Sequence, residues 1–296
     1  MRHAASCTCC NGRTASLRLR FHADRVDPTK TTLIRKRYAA DMARRFMVVR
    51  RLVRERVQSG SLTLHTNAPT AASPARHAEF MDWLREQINT HVLEVSKAAS
   101  SAPLRRSPWQ DLYIRAAYRR GMDGAAQSMK KAGVSVDPRW IDTAFRRPFH
   151  ADRVALIYTR AYAELEGVTK AMESRISSSL ATSMAHGWGA EQTAKALVRA
   201  VDTIGITRAR MIARTETISA HADATLNSYE DAGIEGVNVL SEFSSSRDNK
   251  VCPRCKELEG TQYTIEEARG VIPVHPNCRC AWIPVIGDDL KGRRLN

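Results

Sequence analysis

The chain has 296 residues, and 43% of them are hydrophobic, which is enough for a folded core and excludes an intrinsically disordered protein. Its formal charge is +15, and the excess lies in one half: residues 1–160 hold 30 lysines and arginines against 13 acids, whereas residues 161–296 hold 16 against 18. The basic half favours a polyanion or an acidic protein surface as partner. The sequence has neither a run of about 18 apolar residues, which a membrane-spanning helix needs, nor the apolar segment of a secretory signal, so we expect synthesis in a reducing cytoplasm.

The first predicted helix follows Asp27-Pro28 and ends near Gly60. Apolar residues recur in it every three or four positions, which places them on one helical face. They are Ile34, Tyr38, Met42, Phe46, Val49, Val53 and Val57. The other faces carry nine basic residues: Arg35, Lys36, Arg37, Arg44, Arg45, Arg50, Arg51, Arg54 and Arg56. With two acids among them, this set favours contact with DNA or with an acidic protein, and an ordinary solvated face is the alternative.

Further helices are predicted along residues 73–231. They begin at Ser73-Pro74 and Ser107-Pro108, then as a short helix after Asp137-Pro138 that Pro148 breaks, and then over 150–186, 190–201 and 207–231. The pattern predicts a mostly α fold with an elongated helical body. The tryptophans lie on or beside these elements and the later strands, where packing in the core or at interfaces is expected: Trp83, Trp109, Trp140, Trp188 and Trp282.

The pattern changes from residue 236 onward. Val237 to Phe243 alternates like a strand, a hairpin is possible through Gly260, and Thr264 with Glu267 forms the sequence signature of a capped helix. Another apolar run covers 281–286. We therefore predict four parts: a flexible segment 1–26, a helical body 27–205, a small C-terminal α+β module 206–286, and a charged tail 287–296.

Five candidate metal ligands lie in this module. Cys252 and Cys255 are separated by two residues, which lets both sulfurs face one centre, and three more soft ligands follow within six residues: His275, Cys278 and Cys280. This is the arrangement of a small structural zinc site. A tetrahedral ion takes four ligands, so Cys252 and Cys255 are the firmest pair, and His275, Cys278 and Cys280 compete for two places. Buried free thiols, or disulfides formed later, are the alternative.

Two other groups of residues invite a prediction. Cys7, Cys9 and Cys10 with His3 are crowded near the start of the chain and lack a second half for a metal site, so we expect a flexible segment there. Arg214 and Glu216 point to different sides of one predicted helix. We predict a structural network in which one of them reaches the cysteine-rich turn, by way of Asp248, with solvent-exposed charge as the alternative.

The stretch from Ile212 to Pro284 resembles the phage Mu protein F family of head morphogenesis proteins. The residues that carry the resemblance are Ala213-Arg214-Thr215-Glu216, Tyr229, Gly233, Asp248, Val251-Cys252, Cys255, Leu258, Gly260 and His275-Pro276-Asn277-Cys278-Arg279-Cys280. Their order and spacing match together over about a quarter of the chain.

The resemblance implies a minor head protein of a tailed bacteriophage, present in the virion and, during assembly, in the host cytoplasm. It implies that the protein acts in procapsid assembly at the portal vertex, with the portal protein as partner. The major capsid or scaffolding protein and double-stranded DNA are further candidate partners, and no membrane is expected. Some family members carry a toxin or enzyme domain after this module, and because 16 residues follow Cys280 we expect none here.

A non-enzymatic role is therefore predicted. The zinc-deaminase signature would need H-x-E shortly before Cys252, and the sequence has no such motif in that stretch. A nuclease of the H-N-H kind would need several histidines in this region, but His275 is the only histidine of the sequence after His221. The alternatives are a DNA-processing or effector enzyme built on the zinc-knuckle scaffold, and a basic protein that binds the packaged genome.

Overall fold

The computed structural model describes residues 27–59, 72–94, 108–131, 134–136, 139–231, 240–285 and 294–295. The segment predicted to be flexible, 1–26, lies outside the described residues together with His3, Cys7, Cys9 and Cys10. Positions 287–293 and 296 of the predicted tail lie outside them as well.

Helices build most of the described chain, which confirms the mostly α fold. They are α1 Thr32–Gln58, α2 Ala72–Ile88, α3 Pro108–Lys131, α4 Trp140–Ala144, α5 Pro148–Ala185, α6 Ala190–Ala200 and α7 Thr207–Asp231. A π-helical turn, Asn89–Leu93, extends α2, and a second one, Val201–Ile206, joins α6 to α7. Within the described ranges, no helix combines the length and the apolar character needed to cross a membrane.

Pro148 begins α5, whereas the sequence predicted that it would break a short helix. It stands in the first helical turn, where the backbone N–H that proline lacks would have no intrahelical acceptor. The preceding short helix, α4, ends four residues earlier and is followed by a turn.

The helical core lies between α1, α3, α5 and α7. The predicted apolar face of α1 is confirmed, because Tyr38, Met42, Phe46, Val49, Val53 and Val57 are all fully buried. The backbones of α3 and α7 approach so closely at Gly121 that a Cβ there would lie 2.4 Å from the carbonyl oxygen of His221 and 2.7 Å from Ala224 Cβ. Only glycine fits this crossing without a shift of one helix.

The C-terminal module is a small antiparallel sheet with short helices. Strand β2 (Leu240–Ser244) lies between β3 (Gln262–Thr264) and β4 (Ala281–Val285). Helix α8 spans Pro253–Glu257 and α9 spans Ile265–Ala268, with the predicted capping box between Thr264 and Glu267 in place. A separate parallel pair joins β1 (Ser135–Val136) to β5 (Arg294–Leu295).

Helix α7 serves both parts of the fold. Ala213, Ala220 and Ala224 face the helical core, whereas Ile218 and Leu226 belong to a second core made with the sheet and the cysteines. Helix α7 therefore packs against both cores and supports the cysteine-rich turns.

Candidate metal centre

The first half of the site is a tight turn at the start of α8. Cys252 is the N-cap residue of α8, Pro253 occupies the first helical turn, and Cys252 Sγ accepts a hydrogen bond from the backbone N–H of Cys255 at 3.4 Å. Because proline fixes φ and the sulfur satisfies a free N–H, this short sequence folds locally into a turn that directs both sulfurs the same way. The backbone hydrogen bond also lowers the pKa of the Cys252 thiol.

His275 presents one ring nitrogen to those sulfurs. Its Nδ1 donates a hydrogen bond to the carbonyl oxygen of Pro276 at 2.8 Å, which leaves the lone pair of Nε2 free. That Nε2 lies 3.3 Å from Cys252 Sγ and 3.3 Å from Cys255 Sγ. A histidine oriented in this way through its other nitrogen is the usual form of a metal-binding imidazole. The bond to Pro276 also raises the pKa of His275.

The five predicted ligands come together as two triads that share Cys255. Within Cys252, Cys255 and His275, and within Cys255, Cys278 and Cys280, the ligand atoms all lie within 4.8 Å of one another. Zinc bonds of about 2.3 Å to sulfur and 2.0 Å to nitrogen place tetrahedral ligand atoms about 3.5 to 3.8 Å apart. The donor types fit a zinc ion, and each triad supplies three of the four ligands that the ion takes, so one ligand of the other triad would complete the set.

Cys278 and Cys280 are both buried but have different surroundings. Hydrogen bonding to the Cys280 side chain and to the backbone of Cys280 and Val274 lowers the pKa of Cys278 to about 5, and burial opposes this shift. Cys280, as the donor, has a raised pKa. Cys255 is 2% exposed, and burial raises its pKa to about 12. A cation among these sulfurs would offset the cost of burying them as thiolates.

Asp248 lies in the loop before Cys252 and pairs with Arg279. Its two carboxylate oxygens accept hydrogen bonds from Arg279 Nη1 and Nη2 at 2.6 and 2.7 Å, and the backbone N–H of Lys250 donates to it at 3.0 Å. The Arg279 guanidinium holds the pKa of Asp248 well below its ordinary value. This bidentate pair joins the loop before Cys252 to the residue between Cys278 and Cys280.

Helix α7 contacts the second half of the site through adjacent residues. The backbone N–H of Asn277 donates to Thr215 Oγ1 at 3.3 Å, and Arg214 Nη1 makes a long contact of 3.5 Å with Asn277 Oδ1. Asn277 has φ +64°, a left-handed conformation that asparagine tolerates better than most residues. Arg214 thus lies at the His275–Cys278 turn, and the structure gives it no direct contact with Asp248 among the described residues.

Glu216 is itself buried and contacts a charged group on α5 and α7 in which the Arg160 side chain is 47% exposed. Arg160 donates to Glu216 Oε2 from Nε at 3.2 Å and lies 3.8 Å from Asp223 Oδ2. Burial raises the pKa values of both carboxyl groups. Arg160 was not predicted from the sequence, because no local pattern links residues 160 and 216.

The nine basic residues of α1 are mostly engaged within the protein. Six lie against acids: Arg35 against Asp27, Arg44 and Arg45 against Asp41, Arg50 against Asp202, Arg51 against Glu55 and Arg56 against Glu79. Arg45 also contacts Glu94 and stacks 4.2 Å above the Trp109 ring. Lys36, Arg37 and Arg54 are exposed and have no ion pair among the described residues.

The fold and the site together define a helical protein that carries a small Cys/His module at its C-terminal end. Residues 174–283 match the model of a family described as Phage Mu protein F like protein. The chain thus carries a Phage Mu protein F like region, and the family resemblance seen in its residues is confirmed. The matched stretch begins within α5 and so includes more of the helical body than the resemblance did. Comparison with curated proteins and with solved structures found no match.

Proposed function

We propose that the chain is a minor head protein of a tailed bacteriophage that acts in head assembly. The observation that carries the proposal is the family match over residues 174–283, which includes all five candidate metal ligands and helix α7. The function is structural: the module presents a fixed surface to other head proteins and performs no reaction. The second candidate is an effector or DNA-processing enzyme, and the feature that favours it is the Cys/His scaffold.

Zinc is the proposed cofactor, with Cys252, Cys255, His275 and Cys278 as its ligands. The turn that carries His275 favours Cys278 over Cys280, because the backbone N–H of Cys278 donates to the carbonyl oxygen of His275 at 3.1 Å and so places both ligands on one tight turn. The lowered pKa of Cys278 also favours a thiolate at this position. Cys280 then supports the site as a hydrogen-bond donor to Cys278. With four protein ligands the ion has no open position for water, which fits a structural role.

The proposed position of the protein is the portal vertex, with the portal protein as its first partner and the capsid or scaffolding protein as others. Contact with duplex DNA would use the three basic residues of α1 that form no ion pair among the described residues: Lys36, Arg37 and Arg54. Because most of the other arginines are neutralised within the protein, we expect that contact to be weak and to have a shallow salt dependence, since about three cations release few counterions.

Deletion of the gene from the phage that encodes the chain, followed by complementation, tests this function. We expect wild-type protein and the C280S variant to restore infectious heads, and the C255S variant to fail. Purified heads should contain the protein together with the portal protein, as measured by mass spectrometry. Infectious heads that form normally without the protein would contradict the proposal.

A further inference from the structure

A cleft of about 430 Å³ lies between α5 and α6, in a part of the chain to which neither the metal site nor the basic helix extends. Its walls include two arginines, Arg175 and Arg199, and no carboxylate. Ser178, Thr182, Thr203 and Trp188 also line it. The hydroxyl groups of Thr182 and Thr203 donate to backbone carbonyl oxygens of their own helices, whereas that of Ser178 has no hydrogen-bond partner among the described residues. The wall is therefore cationic, rich in hydrogen-bond donors, and aromatic on one side.

The two arginines have no ion-pair or hydrogen-bond partner for their guanidinium groups among the described residues. Residues three and four positions away from Arg175 on α5 are all uncharged, so no acid shares its face of the helix. The acid nearest to Arg199 along the chain is Asp202, and that carboxylate accepts a hydrogen bond from Arg50 Nε at 2.9 Å. Both guanidinium groups thus remain available for an external anion, in contrast to the paired arginines of α1.

Trp188 is held in place by the turn that joins α5 to α6. Gly187 has φ +62°, and the backbone N–H of Trp188 donates to the carbonyl oxygen of Ser183 at 2.9 Å, which closes the end of α5. The indole is half-buried, so one part of the ring remains accessible at the cleft. An aromatic ring beside free guanidinium groups is a combination that proteins use to bind a base and its phosphate.

We propose that this cleft binds a nucleotide unit, with its phosphate between Arg175 and Arg199 and its base against Trp188. The hydroxyl group of Ser178 is an additional donor to the phosphate oxygens, whereas the hydroxyl group of Thr203 already donates to the carbonyl oxygen of Arg199 at 2.7 Å. The same chemistry is offered by a free nucleotide and by a single strand of nucleic acid. The site is separate from the Cys/His module, and the proposal does not depend on the head-assembly function.

Binding measurements on the purified full chain test the proposal. The probes are adenosine monophosphate, a ten-nucleotide single-stranded DNA, the matching duplex and inorganic phosphate, at one fixed salt concentration. The R175E/R199E variant is compared with K130E/R146E, which changes the net charge equally at two exposed cations outside the cleft and outside α1. We expect at least tenfold weaker binding of the single strand or the mononucleotide in R175E/R199E, and less than a threefold change in K130E/R146E.

Trp188 supplies a second readout that separates stacking from charge. Base–aromatic stacking is strong enough that W188F should weaken binding about fivefold or more and remove most of the ligand-dependent fluorescence quenching. Binding of the mononucleotide would identify a free nucleotide as a ligand, whereas binding of the single strand alone would identify nucleic acid. The proposal is overturned if no nucleotide probe binds, if both double variants lose binding equally, if W188F binds normally, or if inorganic phosphate binds as tightly as the nucleotide.

Discussion

The helical body and the C-terminal module reach stability by different means. The body has a long continuous core of aliphatic and aromatic residues contributed by all its large helices. The second core, as far as the described residues show, consists of ten buried residues, and three of these are cysteines. Domains of fewer than about 70 residues rarely gain more than 3–5 kcal/mol from apolar packing. We therefore infer that packing suffices for the body, whereas the module needs its proposed metal.

The largest effect expected from this contrast is on the module when zinc is removed. Structural zinc contributes about 10 kcal/mol or more in small zinc domains, so a chelator should unfold β2, α8 and the turn around His275 while the helices persist. Hydrogen exchange measured by mass spectrometry would show loss of protection over 240–285 and little change over α1 and α3. C280S, which keeps all four proposed ligands, is the matched control for C255S. Equal loss of protection in the helical body and in the C-terminal module would show that the two regions depend on the metal to the same extent.

His221 provides a pH test of the body. It is fully buried, and burial lowers its pKa to about 4, with Arg120 and Arg35 adding to the shift and Asp27 opposing it. The unfolded chain takes up this proton near pH 6.5, so stability present above pH 6.5 is lost as the pH falls toward 4. The loss amounts to about 3 kcal/mol. Denaturant unfolding of wild type and H221N between pH 4 and 7 should show a shallower pH dependence in the variant.

An NMR titration of the His221 ring gives the same answer without a substitution. A ring that titrates near pH 6.5 in the folded protein would contradict the burial argument.

Packing in the body is tested at two glycines. G121A places a Cβ against the α7 backbone and should destabilise the protein by about 1–3 kcal/mol. At Gly167 on α5 an added Cβ would meet no atom within 4 Å, so G167A should stabilise the protein by about 0.5–1 kcal/mol through helix propensity alone. Thermal unfolding of both variants measures the difference. A neutral G121A would show that the α3–α7 crossing is loose.

The smallest effect concerns a local feature of the module. Thr264 accepts a hydrogen bond from the backbone N–H of Glu267 at 3.2 Å, and Glu267 accepts one from the backbone N–H of Thr264 at 2.9 Å. T264A should cost about 1 kcal/mol of module stability. Thr261 is exposed, and its hydroxyl has no hydrogen bond among the described residues, so T261A serves as control. Local unfolding measured by hydrogen exchange at α9 distinguishes the two variants.

The sequence predicted those features that depend on near neighbours. The buried face of α1, the capping box at Thr264 and the convergence of Cys252 with Cys255 each follow from spacings of three or four residues. Even the distant His275 was found, because the types of metal ligand restrict the choice. These predictions needed no knowledge of how the helices pack.

The remaining features arise from contacts between distant segments. Arg50 lies against Asp202, which is 152 residues away, and Arg160 lies against Glu216, 56 residues away. Because such pairs form only when helices pack, a basic face predicted from α1 alone overestimates the free charge of that helix. The cleft at Arg175 and Arg199 escaped prediction for the same reason, since its walls come from two helices and its significance from the absence of acids among the residues that line it.

Metal content tests the dependence of the module on zinc most directly. Native mass spectrometry of the purified chain should find one zinc ion per chain in wild type and in C280S, and none in C255S. A wild-type chain that folds its module without metal, or a C255S chain that retains the ion, would contradict the account.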